Sequence, residues 1–194
     1  MSKAKMIILA DLGALKLSCE GFKEIVKGLE VKFDVVACKF YDYVAKRNRD
    51  FNEYIAANGY DTSLPSASRR RNRLDSRQIM DATTIAYDGT IQAVGFITGE
   101  GDILPILNLL KSKGIDVYDI NIAEGKWQYA YNGFYQVPMS ALRKGYAAPP
   151  SRVQKAKKAT KPVEPKKAEA PKPSVNKYIA DAQSILAGNE FLKK

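Results

Sequence analysis

The chain has 194 residues, 45% of them hydrophobic, and a formal net charge of +10. That is long enough for one domain with a sizeable core plus an appendage, and basic enough to point to a polyanionic partner. There is no histidine and there are only two cysteines, Cys19 and Cys38. This excludes Ser-His-Asp and Cys-His nucleophile systems and histidine acid–base catalysis, and leaves too few soft ligands for zinc. Any metal site must be built from oxygen, which favours Mg²⁺ or Mn²⁺. No apolar run approaches the roughly 20 residues that span a bilayer. The short run before Asp11 is no signal peptide, and the separated cysteines read as buried free thiols. The expected location is the cytoplasm.

Lys5–Leu12 (KMIILADL) is a short apolar run ending in a carboxylate and reads as a buried strand. Ser18 caps a helix through Leu29, with Phe22, Ile25, Val26 and Leu29 on one face. Val31–Phe40 is the second strand. Tyr43–Asn58 reads as a helix with Val44, Phe51 and Ile55 inward, closed by Gly59. Thr62–Asn72 is irregular or a short edge strand and runs into the cluster RRRNR. Leu74–Tyr87 is helical, with Ile79, Ala82 and Ala86 on one stripe, and Ile91–Thr98 is the next strand. A helix over Ile103–Lys113, stopped by Gly114, and a strand over Ile115–Ile122 complete the alternation. Strand and helix in turn predict an α/β fold, a mostly parallel sheet covered on both faces.

The texture then changes. Lys126–Met139 (KWQYAYNGFYQVPM) places Asn132-Gly133 between aromatic-rich arms, which predicts a tight hairpin. Trp127, Tyr129, Tyr131, Phe134 and Tyr135 either stack bases or cover one edge of the core. The domain is expected to span residues 1–146. Residues 147–175 are rich in Pro, Ala and Lys and read as a disordered linker. Ser151–Val175 alone has eight Lys or Arg against two Glu, so much of the basicity is in the tail. Residues 176–194 hold a short amphipathic helix with Tyr178, Ile179, Ala182, Ile185 and Leu186 on one face, which needs its own domain or a protein partner to dock on.

In a parallel α/β sheet, functional groups gather at the carboxyl ends of the strands. Asp11 ends the first strand, and Glu100 and Asp102 follow the fourth. Asp75 opens a helix on the stripe that faces the sheet, while Asp81 points about a third of a turn away. Carboxylates converging from three regions would hold one or two hard cations and serve phosphodiester hydrolysis.

Asp11 after an apolar strand, then RLDSRQIMD, FITGEGDILPIL and KGIDVYDI, resembles in order and spacing the NYN domains of the PIN-like nuclease superfamily. Those domains carry Asp-x-x-Asn at the first strand, a paired Asp motif with six-residue spacing, and Ser-Gly-Asp-x-Asp followed by a proline. Here the first Asp corresponds to Asp11, the pair to Asp75 and Asp81, the third element to Thr98–Asp102, and the proline to Pro105; the likeness covers roughly Met6–Ile122. The resemblance implies a three-layer α/β/α fold and metal-dependent endonuclease chemistry, usually on RNA, with DNA as a possible further substrate. Asp11, Asp75, Glu100 and Asp102 would hold Mg²⁺ or Mn²⁺ and Asp81 would support them. Two positions depart from the pattern: Ala14 stands where the family has Asn, and Glu100 replaces an Asp. The competing reading is a catalytically degenerate RNA-binding or scaffold protein on the same fold. Arg69, Arg70, Arg71, Arg73 and Arg77, five arginines in nine residues, would bring phosphates to the centre, and Lys46, Arg47 and Arg49 would extend the track.

Overall fold

A computed structural model describes residues 2–66, 74–99 and 101–143, all within the first of two compact units, Met1–Ala148. The expected linker and C-terminal helix, Arg69, Arg70, Arg71, Arg73 and Glu100 lie outside the described residues.

The elements run β1 (Ala4–Asp11), α1 (Cys19–Glu30), β2 (Phe33–Tyr41), a 3₁₀ turn (Arg49–Phe51) leading into α2 (Asn52–Asn58), and β3 (Asp61–Thr62). They continue with α3 (Ser76–Ile85), β4 (Ala93–Ile97), α4 (Leu104–Ser112), β5 (Asp116–Asn121), a second 3₁₀ turn (Gln128–Ala130), β6 (Gly133–Gln136) and a third turn (Met139–Ala141). The six strands form one sheet in the order β3-β2-β1-β4-β5-β6, with every neighbouring pair parallel. The chain winds outward from β1 in one direction, then returns to β1's other side with β4. The order reverses between these two strands, and ligands of open α/β sheets bind beyond the carboxyl ends at such a point.

Period-two alternation sorts the core into two layers. Met6, Ile8 and Ala10 of β1 pack with Phe22 and Ile25 of α1, Phe40 and Phe51. Leu9 faces the other way, with Tyr41, Val94, Phe96, Leu107 and Leu110 under α3 and α4. Phe22 and Phe40 meet edge to face at 5.0 Å, and Phe40 and Phe51 at 5.4 Å. Each such side chain, fully buried, contributes roughly 1.5–3 kcal/mol. Cys19 and Cys38 are buried free thiols, and burial pushes the Cys38 thiol up to about 12. Among the described residues no helix is long and apolar enough to cross a membrane.

Two elements differ from the sequence expectation. The helix expected over Tyr43–Asn58 becomes helical only from Arg49. Asn48, 3% exposed, turns its side-chain oxygen back onto the Val44 N–H at 3.1 Å, a local turn that competes with helix. The hairpin expected at 126–139 does not form: Gln128–Ala130 is a 3₁₀ turn, and β6 pairs in parallel with β5, Tyr118 opposite Gly133 and Asn121 opposite Gln136. Asn132 explains the change. Its N–H donates to the Val117 carbonyl at 2.8 Å and its side-chain oxygen accepts from the Val117 N–H at 3.0 Å. Its side-chain NH₂ donates to Asp116 Oδ1 at 2.9 Å. The residue that would close a two-residue turn instead docks the chain onto the start of β5.

Candidate active site

Asp11 has the same strand parity as Leu9 and therefore projects toward the α3 and α4 layer, at the tip of β1, fully buried. Its Oδ1 accepts from the Gly13 N–H at 2.8 Å, and its carbonyl accepts from the Ala14 N–H at 3.1 Å, so the chain turns tightly over the strand end. A Cβ on Gly13 would stand 3.2 Å from Asp11 Oδ1 and collide with the Asp42 carboxylate. Glycine here lets two acidic side chains approach one turn. Asp42, just beyond β2, is in the left-handed region at φ 55. Arg47 Nη2 lies 3.0 Å from its Oδ2 and also donates to its carbonyl. The sequence reading missed Asp42, although the signal was the one that identified Asp11: β1–β2 register sets Asp11 opposite Tyr41, so the next residue is also a carboxylate at a strand tip.

Asp75 caps α3, accepting from the Arg77 N–H at 3.0 Å. Its side chain is 1% exposed and Arg77 forks onto it, Nε to Oδ1 at 2.9 Å and Nη2 to Oδ2 at 2.5 Å. Arg77 also donates to the Leu64 carbonyl. The hydrogen bonds to Asp75, above all, raise the guanidinium's pKa further, and Asp11 is close enough to add to that field. Arg77 is therefore part of the inner cluster. Asp81 sits elsewhere, one turn and a half along α3. It accepts from Tyr41 Oη at 2.5 Å and from Lys39 Nζ at 2.9 Å, beside β2. Burial and the bond to Asp81 push the Tyr41 hydroxyl far above its usual range, so it stays a donor.

Gln78 ties these parts together. It is fully buried, and its Nε2 donates to the Leu9 carbonyl at 3.1 Å and to the Ile97 carbonyl at 2.9 Å. Its Oε1 accepts from Thr98 Oγ1 at 2.8 Å. One side chain thus spans β1 and β4 where the strand order reverses and holds the first residue of the TGEGD loop. Asp75-x-x-Gln78 has the spacing of a capping box. The amide instead reaches past the cap to the sheet, which only the tertiary structure reveals.

The loop after β4 is clamped on two sides. A Cβ on Gly101 would lie 2.5 Å from Leu74 Cβ, so only glycine permits this approach to the residue preceding Asp75. The Trp127 indole N–H donates to the Gly101 carbonyl at 2.8 Å. Asp102 is exposed, and its Oδ1 accepts from the Leu104 N–H at 3.2 Å, at the start of α4. The structure thus brings Asp11 and Asp75 to one crevice and docks the Asp102 loop beside Asp75. It sets Asp81 apart against β2. Among the described residues no three acidic or cysteine side chains converge tightly enough to hold an ion.

Asp119, 4% exposed near the end of β5, is a further buried carboxylate, with the strand parity of Val117 on the α3 and α4 side. Burial pushes it up to about 7, against the lowering effect of a hydrogen bond from Asn121. Of the expected phosphate track, Lys46, Arg47 and Arg49 are exposed, and Arg47 is engaged with Asp42. An open depression lined by Lys3, Lys5, Glu30 and Gln92 lies at the amino ends of the strands, remote from these carboxylates.

The NYN domain profile matches residues 5–130, from β1 to the end of the 3₁₀ turn that follows Trp127. The chain belongs to the NYN family. NYN domains are PIN-like ribonuclease domains, typically metal-dependent and acting on RNA. The matched segment takes in β1 through β5 and every candidate NYN carboxylate, and leaves out β6. No curated protein matches the chain. Among solved structures, the chain is similar to levoglucosan dehydrogenase in its apo form, at 12% identity and a TM-score of 0.34 over 62% of this chain; it spans only 27% of that enzyme's length. A likeness so slight carries no weight beside the NYN match.

Proposed function

We propose that this NYN protein is an endoribonuclease that hydrolyses RNA phosphodiester bonds at the crevice between β1 and β4. The observation that carries the reading is the Gln78 bridge. From the helix that Asp75 caps, it ties the end of β1, which carries Asp11, to the end of β4 and to Thr98, which supports a shared site at the reversal of strand order. The donors there are all carboxylate oxygens and the chain has no histidine, a set that fits Mg²⁺ or Mn²⁺. Asp11, Asp75, Glu100 and Asp102 would hold the ion, with Asp81 in support through Tyr41 and Lys39. Such an ion, when bound, polarises the phosphodiester and lowers the pKa of an attacking water. The chain itself contributes a buried, preorganised pair of carboxylates and a loop locked between Leu74 and Trp127. Arg69, Arg70, Arg71 and Arg73 would position the strand, with Lys46, Arg47 and Arg49 extending the track.

The same reading takes residues 147–175 as a linker that adds sequence-independent affinity, and 176–194 as a helix for a protein partner. The test is cleavage of mixed-sequence single-stranded RNA with Mn²⁺ and with EDTA, by the parent and by Asp11→Asn. Metal-dependent products lost in the variant support it; RNA binding without products from the parent overturns it.

The fork of Arg77 on Asp75 favours a second reading, an RNA-binding protein with a closed centre on the same fold. Its guanidinium is bonded to both Asp75 oxygens. Cleavage of RNA by the parent separates the two.

A further inference from the structure

The segment after β5 holds more aromatic surface than the core absorbs. Tyr131 and Tyr135 pack inward, one on each side of the sheet. Tyr129 is 71% exposed, with its ring centroid 6.2 Å from that of Trp127 and tilted by 59°. Trp127 is half-buried and tied through its N–H to Gly101, between Glu100 and Asp102. The Lys126 ammonium lies 4.2 Å from the Trp127 ring centroid. One exposed tyrosine needs no explanation. Two adjoining rings and a cation, bonded directly to the acidic loop, form a continuous surface that leads away from the candidate centre.

We propose that Lys126, Trp127 and Tyr129 form a stacking subsite for a base of single-stranded RNA. This rests on the reading that RNA is the substrate. A base offers an open π-face whatever its identity, so Tyr129 would hold it without sequence preference while Lys126 balances the neighbouring phosphate. Paired bases bury those faces in the duplex, so the subsite favours unpaired strands. The Trp127–Gly101 bond fixes where the seated base lies relative to Asp102.

The chain has one tryptophan, so its emission reports on this surface alone. The full-length protein, in EDTA, is titrated with a short oligoadenylate, with the same strand annealed to its complement, and with inorganic polyphosphate. The expected result is a saturable change in emission with the single strand, a weak one with the duplex and none with polyphosphate. Tyr129→Ala should weaken single-strand binding about tenfold, equivalent to ~1.4 kcal/mol. Lys126→Ala should lower the salt slope of binding by about one. Single-strand binding seen by anisotropy, with unchanged tryptophan emission and no effect of Tyr129→Ala, overturns the subsite even if RNA is cut. An equal response to polyphosphate overturns it as well. A saturable single-strand response from a protein that cuts no RNA upholds the subsite and removes only the nuclease.

Discussion

The Asp75 carboxylate and the Arg77 guanidinium meet through two parallel hydrogen bonds, 2.9 and 2.5 Å, with the acid side chain 1% exposed and the base 30%. This pair bears directly on the proposed metal site. Arg77→Ala removes a charged partner from a buried acid and should lower stability in EDTA by about 2 kcal/mol. If the arginine competes with a cation at Asp75, Mn²⁺ should raise the melting temperature more in the variant than in the parent. Thermal melts with EDTA and with millimolar Mn²⁺ measure both effects. Identical Mn²⁺ responses in the two proteins would show that the arginine does not compete with metal. A response confined to the variant would mean that the parent's centre is closed.

Gln78→Leu keeps the volume but strips the Leu9 and Ile97 carbonyls of a donor and Thr98 of its acceptor. Losing these buried hydrogen bonds should cost about 2 kcal/mol. Urea unfolding should show a lower midpoint with an unchanged slope. A neutral substitution would mean that the bridge does not hold the crevice together.

Gly101→Ala introduces a methyl group 2.5 Å from Leu74 Cβ, and that neighbour is not the far end of a flexible chain. The loop must lift, which strains the Trp127–Gly101 bond and displaces Asp102. Because the loop lies at the surface, the fold should survive with a small loss of stability. Cleavage should fall by at least about tenfold, since misplacement of a reacting group by an ångström suffices for that. Full activity in the variant would show that Asp102 need not be held there.

Asp119 makes a prediction about pH. Its folded pKa is pushed up to about 7, against about 3.9 in an unfolded chain. Between those values the folded state binds more protons than the unfolded state, so this group's contribution falls as pH rises from about 4 to about 7 and stays low above that. Asp119→Asn should be more stable than the parent near pH 8 by on the order of 2 kcal/mol, and no more stable near pH 4. Urea midpoints of both proteins across that range provide the measurement. A pH-independent difference between them would assign the effect to packing.

Much of this was legible in the sequence because periodicity and strand-end position carry it. The runs that became β1, β2, β4 and β5 were apolar and bounded by turn residues, and Asp11 stood at the end of the first; the face on which it lies came only with the two packed layers. Asp75 was readable as a helix-opening residue for the same reason. Gln78 was hidden because its role depends on two carbonyls from strands far away in sequence. Asn132 misled for a related reason: Asn-Gly favours a tight turn locally, but the Val117 and Asp116 backbone and side chain offered it better partners. Asp42 was not hidden at all; a left-handed aspartate beyond an apolar strand obeys the rule already applied to Asp11.

The central pairing of β1 with β4 sets the order in which the protein assembles. Lys5 and Gln92, hydrogen-bonded across this junction, are 87 residues apart in the chain. Contacts that distant form late, because the intervening loop must close before they add stability. During synthesis β1, α1 and β2 emerge first and can pair, while the far edge of β1 waits for β4 with its backbone groups unsatisfied. Asp11 and Asp75 are thus kept apart in water until β4 docks and Gln78 finds both strands. Their burial therefore waits on β4, so damage to that junction should leave a partly paired amino-terminal half with a long sheet edge, the form most exposed to aggregation and proteolysis.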